Sequence, residues 1–266
     1  MKKKRRANKR DRKGVYILPS LFTSCSLFGG FYAIIAAIQG RYHAAAIAIL
    51  ISSLFDALDG KTARYTHTTS HFGAEYDSLS DLVAFGVAPG ILVFLWSLEP
   101  FGRFGWLAVF LYIICGALRL ARFNVQKNDV ESKHFKGLPI PGAAIFIAIF
   151  IFFIDTRGGL TQNKPIITLG AIYTLSFLMV SAIDYFSFKD LELFKKKPFN
   201  VLVAIILMFV IVAYKPVLML FLFSAAYVIS GPIITIYCII QKHIKTFMAH
   251  KSSVEKKETY NTKNGL

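Results

Sequence analysis

The chain has 266 residues, 55% of them hydrophobic and 25 of them phenylalanine, with a mean hydropathy of +0.52, which excludes an ordinary water-soluble domain. The formal net charge of +16 would suit a nucleic-acid partner, but its distribution argues against one. Of the 31 basic residues, 26 fall in the two ends and in alternate loops that would share one side of a membrane, leaving Arg41, Arg103, Arg157, Lys164 and Lys215 for the other, which is the positive-inside bias of a protein with both termini in the cytoplasm.

Residues 1–13 carry nine Lys and Arg and read as a cytoplasmic arm drawn to anionic headgroups. Charge-free runs follow at 14–40, 42–55, 82–98, 104–118, 138–154, 165–183, 198–214 and 216–241. Several approach the ~20 residues that cross a bilayer core, and together they predict an all-α membrane bundle of eight spans. The spans are expected at 20–38, 43–65, 74–98, 104–123, 141–154, 165–183, 198–214 and 216–241. No small-residue cleavage site follows the first run, so it reads as a retained span and not a signal peptide. Pro89-Gly90 is placed to kink the third span. A polar segment, 245–266, reads as a disordered cytoplasmic tail. The membrane domain is thus expected over 14–244, with a six-helix core at 20–183 and two added helices at 198–241. Cys25, Cys115 and Cys238 all lie in apolar runs and read as small core residues.

The second and third spans meet at an acidic cluster. Asp56-Ala-Leu-Asp59-Gly60-Lys61-Thr-Ala63-Arg64 is followed eight residues later by Gly73-Ala-Glu-Tyr-Asp77-Ser-Leu-Ser-Asp81. Carboxylates at the edge of an apolar span are costly and call for a functional reason. Residues i and i+3, or i and i+4, share one face of a helix. Asp56 and Asp59 therefore project together, as do Asp77 and Asp81, and a short turn lets the two pairs converge. Their hard oxygens suit Mg²⁺ or Mn²⁺, with Ca²⁺ a third candidate. The structural alternative is ion pairing with Lys61, Arg64, Arg119 or Arg122. His67 and His71 make an H-x3-H pair with the spacing of a zinc site.

The pattern D-x2-D-G-x2-A-R-x8-G-x3-D-x3-D resembles the signature of the CDP-alcohol phosphotransferases. Further strings, Arg119-Leu-Ala-Arg122-Phe-Asn124, Lys136-Gly-Leu-Pro-Ile-Pro141 and Met179-Val-Ser181 with Tyr185-Phe-Ser187-Phe-Lys189, are similar to the phosphatidylserine synthase branch of that family. The likeness covers roughly residues 14–190. It implies an enzyme of the inner cell membrane that works on its cytoplasmic side. CDP-diacylglycerol would be the donor and L-serine the acceptor, with CMP leaving, in a homodimer surrounded by membrane lipids.

The resemblance also assigns residues. Asp56, Asp59, Asp77 and Asp81 would hold divalent metal, with Asp81 also the candidate general base. Gly60, Ala63, Arg64, Ser70, Gly73 and Thr23 would contact the CDP-lipid. Small residues there admit close approach, and Arg64 offers a fork for phosphate. Arg119, Arg122, Asn124 and Ser181 would contact serine, whose carboxylate matches an arginine fork. At the start of the first span, Ser20 stands where relatives often carry asparagine. Two readings compete with this one: the same chemistry on glycerol phosphate or inositol phosphate, and a transporter. A transporter should carry its ionisable groups near mid-membrane, whereas these gather at one end.

Overall fold

The computed structural model describes residues 17–65, 71–126, 135–157, 163–185, 198–237 and 240–241. The basic arm, Ser70, His67 and the C-terminal tail lie outside them. Among the described residues eight apolar helices follow in order: α1 (Ile17–Ile38), α2 (Tyr42–Tyr65), α3 (His71–Phe101), α4 (Arg103–Gln126), α5 (Ile140–Thr156), α6 (Lys164–Val180), α7 (Pro198–Tyr214) and α8 (Pro216–Tyr237). Five of them, α1–α4 and α8, are long and apolar enough to cross a membrane. The 17-residue helices α5, α6 and α7 sit at the lower limit for a span.

Helices α1 and α2 form a hairpin closed by Gly40. Its φ of 74° permits a left-handed cap, in which Arg41 N–H donates to Ala36 O and Gly40 N–H to Ala37 O. Small residues bring the pair together: Ala33, Ala36, Ala37, Ala45, Ala46 and Ala48 are buried, and Gly29 abuts the Ser52 side chain. Gly30 packs against Ala84 of α3 in the same way.

Helix α3 runs 31 residues, about 46 Å at 1.5 Å per residue, more than the ~30 Å of a hydrocarbon core. It is π-wound at Leu82–Val87 and Phe94–Leu98. Two prolines account for its irregular bonding, because each lacks an N–H. Pro89 offers nothing to Phe85 O, four residues back, and the Tyr112 hydroxyl of α4 donates there at 2.9 Å. Pro100 offers nothing to Leu95 O in the π register, and the Tyr42 hydroxyl of α2 donates at 3.1 Å.

Helix α5 is the core of the bundle. Ala143, Ala144, Ile147, Ala148 and Ile151 are among its buried residues, and α2 packs along it. At the end of the bundle that carries the acidic motif, two short strands pair antiparallel: β1 (Phe135–Lys136) and β2 (Asp184–Tyr185), with Phe135 opposite Tyr185. The sequence reading carried the sixth span to 183. Instead α6 stops at Val180 and the chain turns extended to join this ladder. Gly137, at φ 83°, fits against the Met179 carbonyl. Large apolar side chains along α7 and α8, such as Phe209 and Ile233, are exposed, as lipid-facing residues must be.

Candidate active site

Asp56 and Asp59 arrive on the last turns of α2, and Asp77 and Asp81 on the first turns of α3. One oxygen each from Asp56, Asp59 and Asp77 lies within 4.8 Å of the others, the one such group of metal-type ligands among the described residues. Asp81 is not in that group. Its side chain makes a hydrogen bond with Asp56 and faces Asp77 and Asp59. Its Oδ1 is buried without a hydrogen-bond partner among the described residues.

At these separations each pair of like charges costs roughly 3–4 kcal/mol at an effective dielectric of ~20. A hydrogen bond to a charged group returns about 1.5–3 kcal/mol. Hydrogen bonds alone therefore do not hold four carboxylates together, and the donor set fits a hard divalent cation.

Helix α1 locks this arrangement. Thr23 is buried, and its hydroxyl donates to Asp59 Oδ2 at 2.8 Å. Its carbonyl accepts from Ser80 Oγ at 3.1 Å. One residue thus joins α1 to both acid-bearing helices. The next residue repeats the link, with Ser24 Oγ 2.9 Å from the Tyr76 hydroxyl. Gly60 and Gly73 sit half-buried beside the acids. The backbone of Ala63 and Arg64 continues α2, and their side chains, like Ser70, fall outside the described residues. His71 is exposed at the start of α3.

Helix α4 supplies the cations. Arg119 lies within electrostatic range of Tyr227 of α8 and of Asp81, without an ion pair among the described residues, and its Nε is buried with no hydrogen-bond partner among them. Arg122 is half-buried one turn further on. Asn124 is engaged with α3: its Nδ2 donates to Ser78 Oγ at 2.9 Å and to Glu75 Oε2 at 3.4 Å. Ser181 closes the end of α6, donating from Oγ to Leu178 O at 2.8 Å. Tyr185 is buried, and its hydroxyl donates to Val228 O of α8 at 3.0 Å.

Sequence reasoning missed Tyr227, Ser78 and Glu75. The last two lie inside the acidic motif, beside Asp77, and were readable as neighbours. Nothing in the apolar run around Tyr227 marked it. Between α1 and α2 runs an apolar groove of about 580 Å³, lined by Ser24, Cys25, Phe28, Tyr32, Ala48 and Phe55 among others. Ser24 and Phe55, at its acidic end, adjoin Thr23 and Asp56 in the chain.

Residues 16–183 match the family model of the CDP-alcohol phosphatidyltransferases. The chain belongs to this family. It is 38% identical over 227 residues to a CDP-diacylglycerol–serine O-phosphatidyltransferase of Helicobacter pylori, an alignment that covers 85% of this chain and 94% of the relative. The enzyme of the same name from Bacillus subtilis is 34% identical over 172 residues, 65% of this chain and 91% of the relative. An archaetidylserine synthase of Methanothermobacter thermautotrophicus is 38% identical over 170 residues, 63% and 69% respectively. The family-model match ends where the six-helix core ends, before α7 and α8, whereas the 227-residue alignment with the Helicobacter pylori relative must take in α7.

Proposed function

We propose that the chain transfers a phosphatidyl group from CDP-diacylglycerol to L-serine, releasing CMP. The convergence of Asp56, Asp59 and Asp77 beside Asp81 and Arg119 is the observation that carries this reading, and the relatives' names agree with it. The carboxylates of Asp56, Asp59 and Asp77 would hold a divalent cation, which when bound would supply charge neutralisation for a pyrophosphate donor and its leaving CMP. Mg²⁺ and Mn²⁺ suit the oxygen donors best.

Asp81 touches the three-acid group through its hydrogen bond with Asp56 and lies on the Arg119 side of it, which supports a division of labour. Asp56, Asp59 and Asp77 would hold the cation. Asp81 takes the proton of the serine hydroxyl as its oxygen bonds to the lipid-side phosphorus and the bond to CMP breaks. Arg119 stands beside Asp81 and, with Arg122, offers forked donors to the serine carboxylate. Asn124 and Ser181 already hold protein partners, which favours positioning roles for them. Thr23 acts through Asp59. Gly60, Ala63, Arg64, Ser70 and Gly73 serve the CDP moiety. The apolar groove between α1 and α2 receives a donor acyl chain, since its acidic end meets the site. The working unit is a homodimer in the inner cell membrane, with the site toward the cytoplasm.

The test is CMP release from CDP-diacylglycerol by purified protein with Mg²⁺ or Mn²⁺ and a panel of acceptors. Serine should be preferred. Preference for glycerol phosphate or inositol phosphate would replace the acceptor and keep the chemistry. No CMP release with any acceptor would remove the enzyme reading and leave transport.

A further inference from the structure

Phe153, on the last turn of α5, stacks on Phe221 of α8 with ring centroids 4.0 Å apart and 7° between planes. The stack pins the two helices together at the end of the bundle away from the carboxylates. Beside it opens a cavity of about 460 Å³, walled by Phe153, Arg157, Tyr214, Lys215 and Leu218 among others. That volume is in the range of small-molecule sites. Its lining holds two cations and no carboxylate.

The Arg157 guanidinium lies 5.5 Å from the Phe153 ring centroid, and the Lys215 ammonium 5.6 Å from that of Tyr214. Ring contacts orient a cation without neutralising it. Neither cation makes an ion pair among the described residues. Asp155, the acid two residues before Arg157, is engaged by His43, Trp96 and Lys164. Residues 158–162, Gly-Gly-Leu-Thr-Gln, contain no acid. Two like charges share one cavity with an apolar floor, at helix ends that the eight-span arrangement would place in the headgroup layer. An anion joined to apolar chains answers both features, and arginine and lysine together are suited to phosphate.

We propose that this cavity binds the headgroup phosphate of an anionic phospholipid in the leaflet remote from the active site. The site is separate from the donor and product positions, and its occupancy does not depend on the acceptor assigned above. Full-length protein in neutral detergent, titrated with palmitoyl-oleoyl phosphatidylglycerol or the matching phosphatidylcholine, would be followed by native mass spectrometry. Wild type should retain phosphatidylglycerol in preference to phosphatidylcholine. Replacing both cations, R157Q with K215Q, should weaken phosphatidylglycerol retention roughly ten-fold or more and leave phosphatidylcholine retention and CMP release unchanged. The charge-matched control, R41Q with R103Q, should keep the preference. Should the double variant lose CMP release, K215Q alone, at an exposed turn, carries the same test with a smaller loss. Equal loss in the control, no loss in the Arg157/Lys215 variants, or no preference in wild type would overturn the proposal. Displacement of the lipid by inorganic phosphate at equal concentration would also overturn it, in favour of a free-phosphate site.

Discussion

Asp59 is buried, 5% exposed, and Thr23 is the hydroxyl that orients it. This makes two graded predictions. Asp59→Ala should abolish CMP release, because one of three clustered oxygens is lost. Thr23→Val should lower it roughly ten- to a hundred-fold, the equivalent of about 1.5–3 kcal/mol for a hydrogen bond to a charged group, while Thr23→Ser should remain near wild type. EDTA should abolish turnover in wild type, with recovery on adding Mg²⁺ or Mn²⁺; full activity in excess chelator would end the metal reading. The arginines divide differently. Arg122→Ala should raise the Michaelis constant for serine far more than that for CDP-diacylglycerol. Arg119→Ala should also depress the maximal rate, since Arg119 lies within electrostatic range of Asp81. If both variants weaken only the CDP-lipid, the arginines belong to the donor. The acids were legible in the sequence because helical spacing alone puts each pair on one face. The work of Thr23 and Asn124 was not, because their partners lie on other helices and no spacing rule links them.

At the scale of elements, hydrophobic runs located all eight helices, most to within a few residues, because lipid imposes one long apolar signature on each. The β1–β2 ladder escaped notice, being two residues per strand inside polar loops. So did the π turns of α3. Pro89 and Pro100 were visible, but which hydroxyls would serve the carbonyls they leave depends on how α2 and α4 pack. Tyr112→Phe should therefore destabilise the bundle by about 1 kcal/mol, in line with interhelical hydrogen bonds in membranes, read as earlier unfolding in a detergent titration. Gly30 is a sharper test. A Cβ there would lie 2.6 Å from Ala84 Cα, closer than atoms approach, and both partners are helix rather than flexible side chain. Gly30→Val should push α1 off α3, breaking the Thr23–Ser80 link along with the fold, so that stability and CMP release fall together. Retained activity with retained stability would mean that α1 and α3 do not approach as closely as described.

At the scale of the molecule, charge and structure bear on separate halves of one question. Assigned to alternate loops, the basic residues divide 26 to 5, the split expected if alternate helix ends lie on opposite sides of a membrane. The packing meets that requirement without reference to charge. The end of α2 and the start of α3 meet at the carboxylates. The start of α2, the far part of α3, the end of α5 and the start of α6 meet elsewhere, where Asp155 accepts from His43 Nε2 at 3.0 Å and from Trp96 Nε1 at 3.3 Å, with Lys164 at 3.8 Å. His43 precedes Asp59 by sixteen residues of one helix, about 24 Å of rise, so the two clusters occupy opposite ends. Which end faces the cytoplasm rests on the charge count alone. With Cys25, Cys115 and Cys238 replaced by alanine, a single cysteine at Ser187 should react with a membrane-impermeant maleimide only from the cytoplasmic side, and one at Gly158 only from outside. Labelling of both from the same side would break the eight-span arrangement. Opposite labelling with the sides exchanged would keep the arrangement and invert it, putting the carboxylates on the side away from a cytoplasmic nucleotide supply.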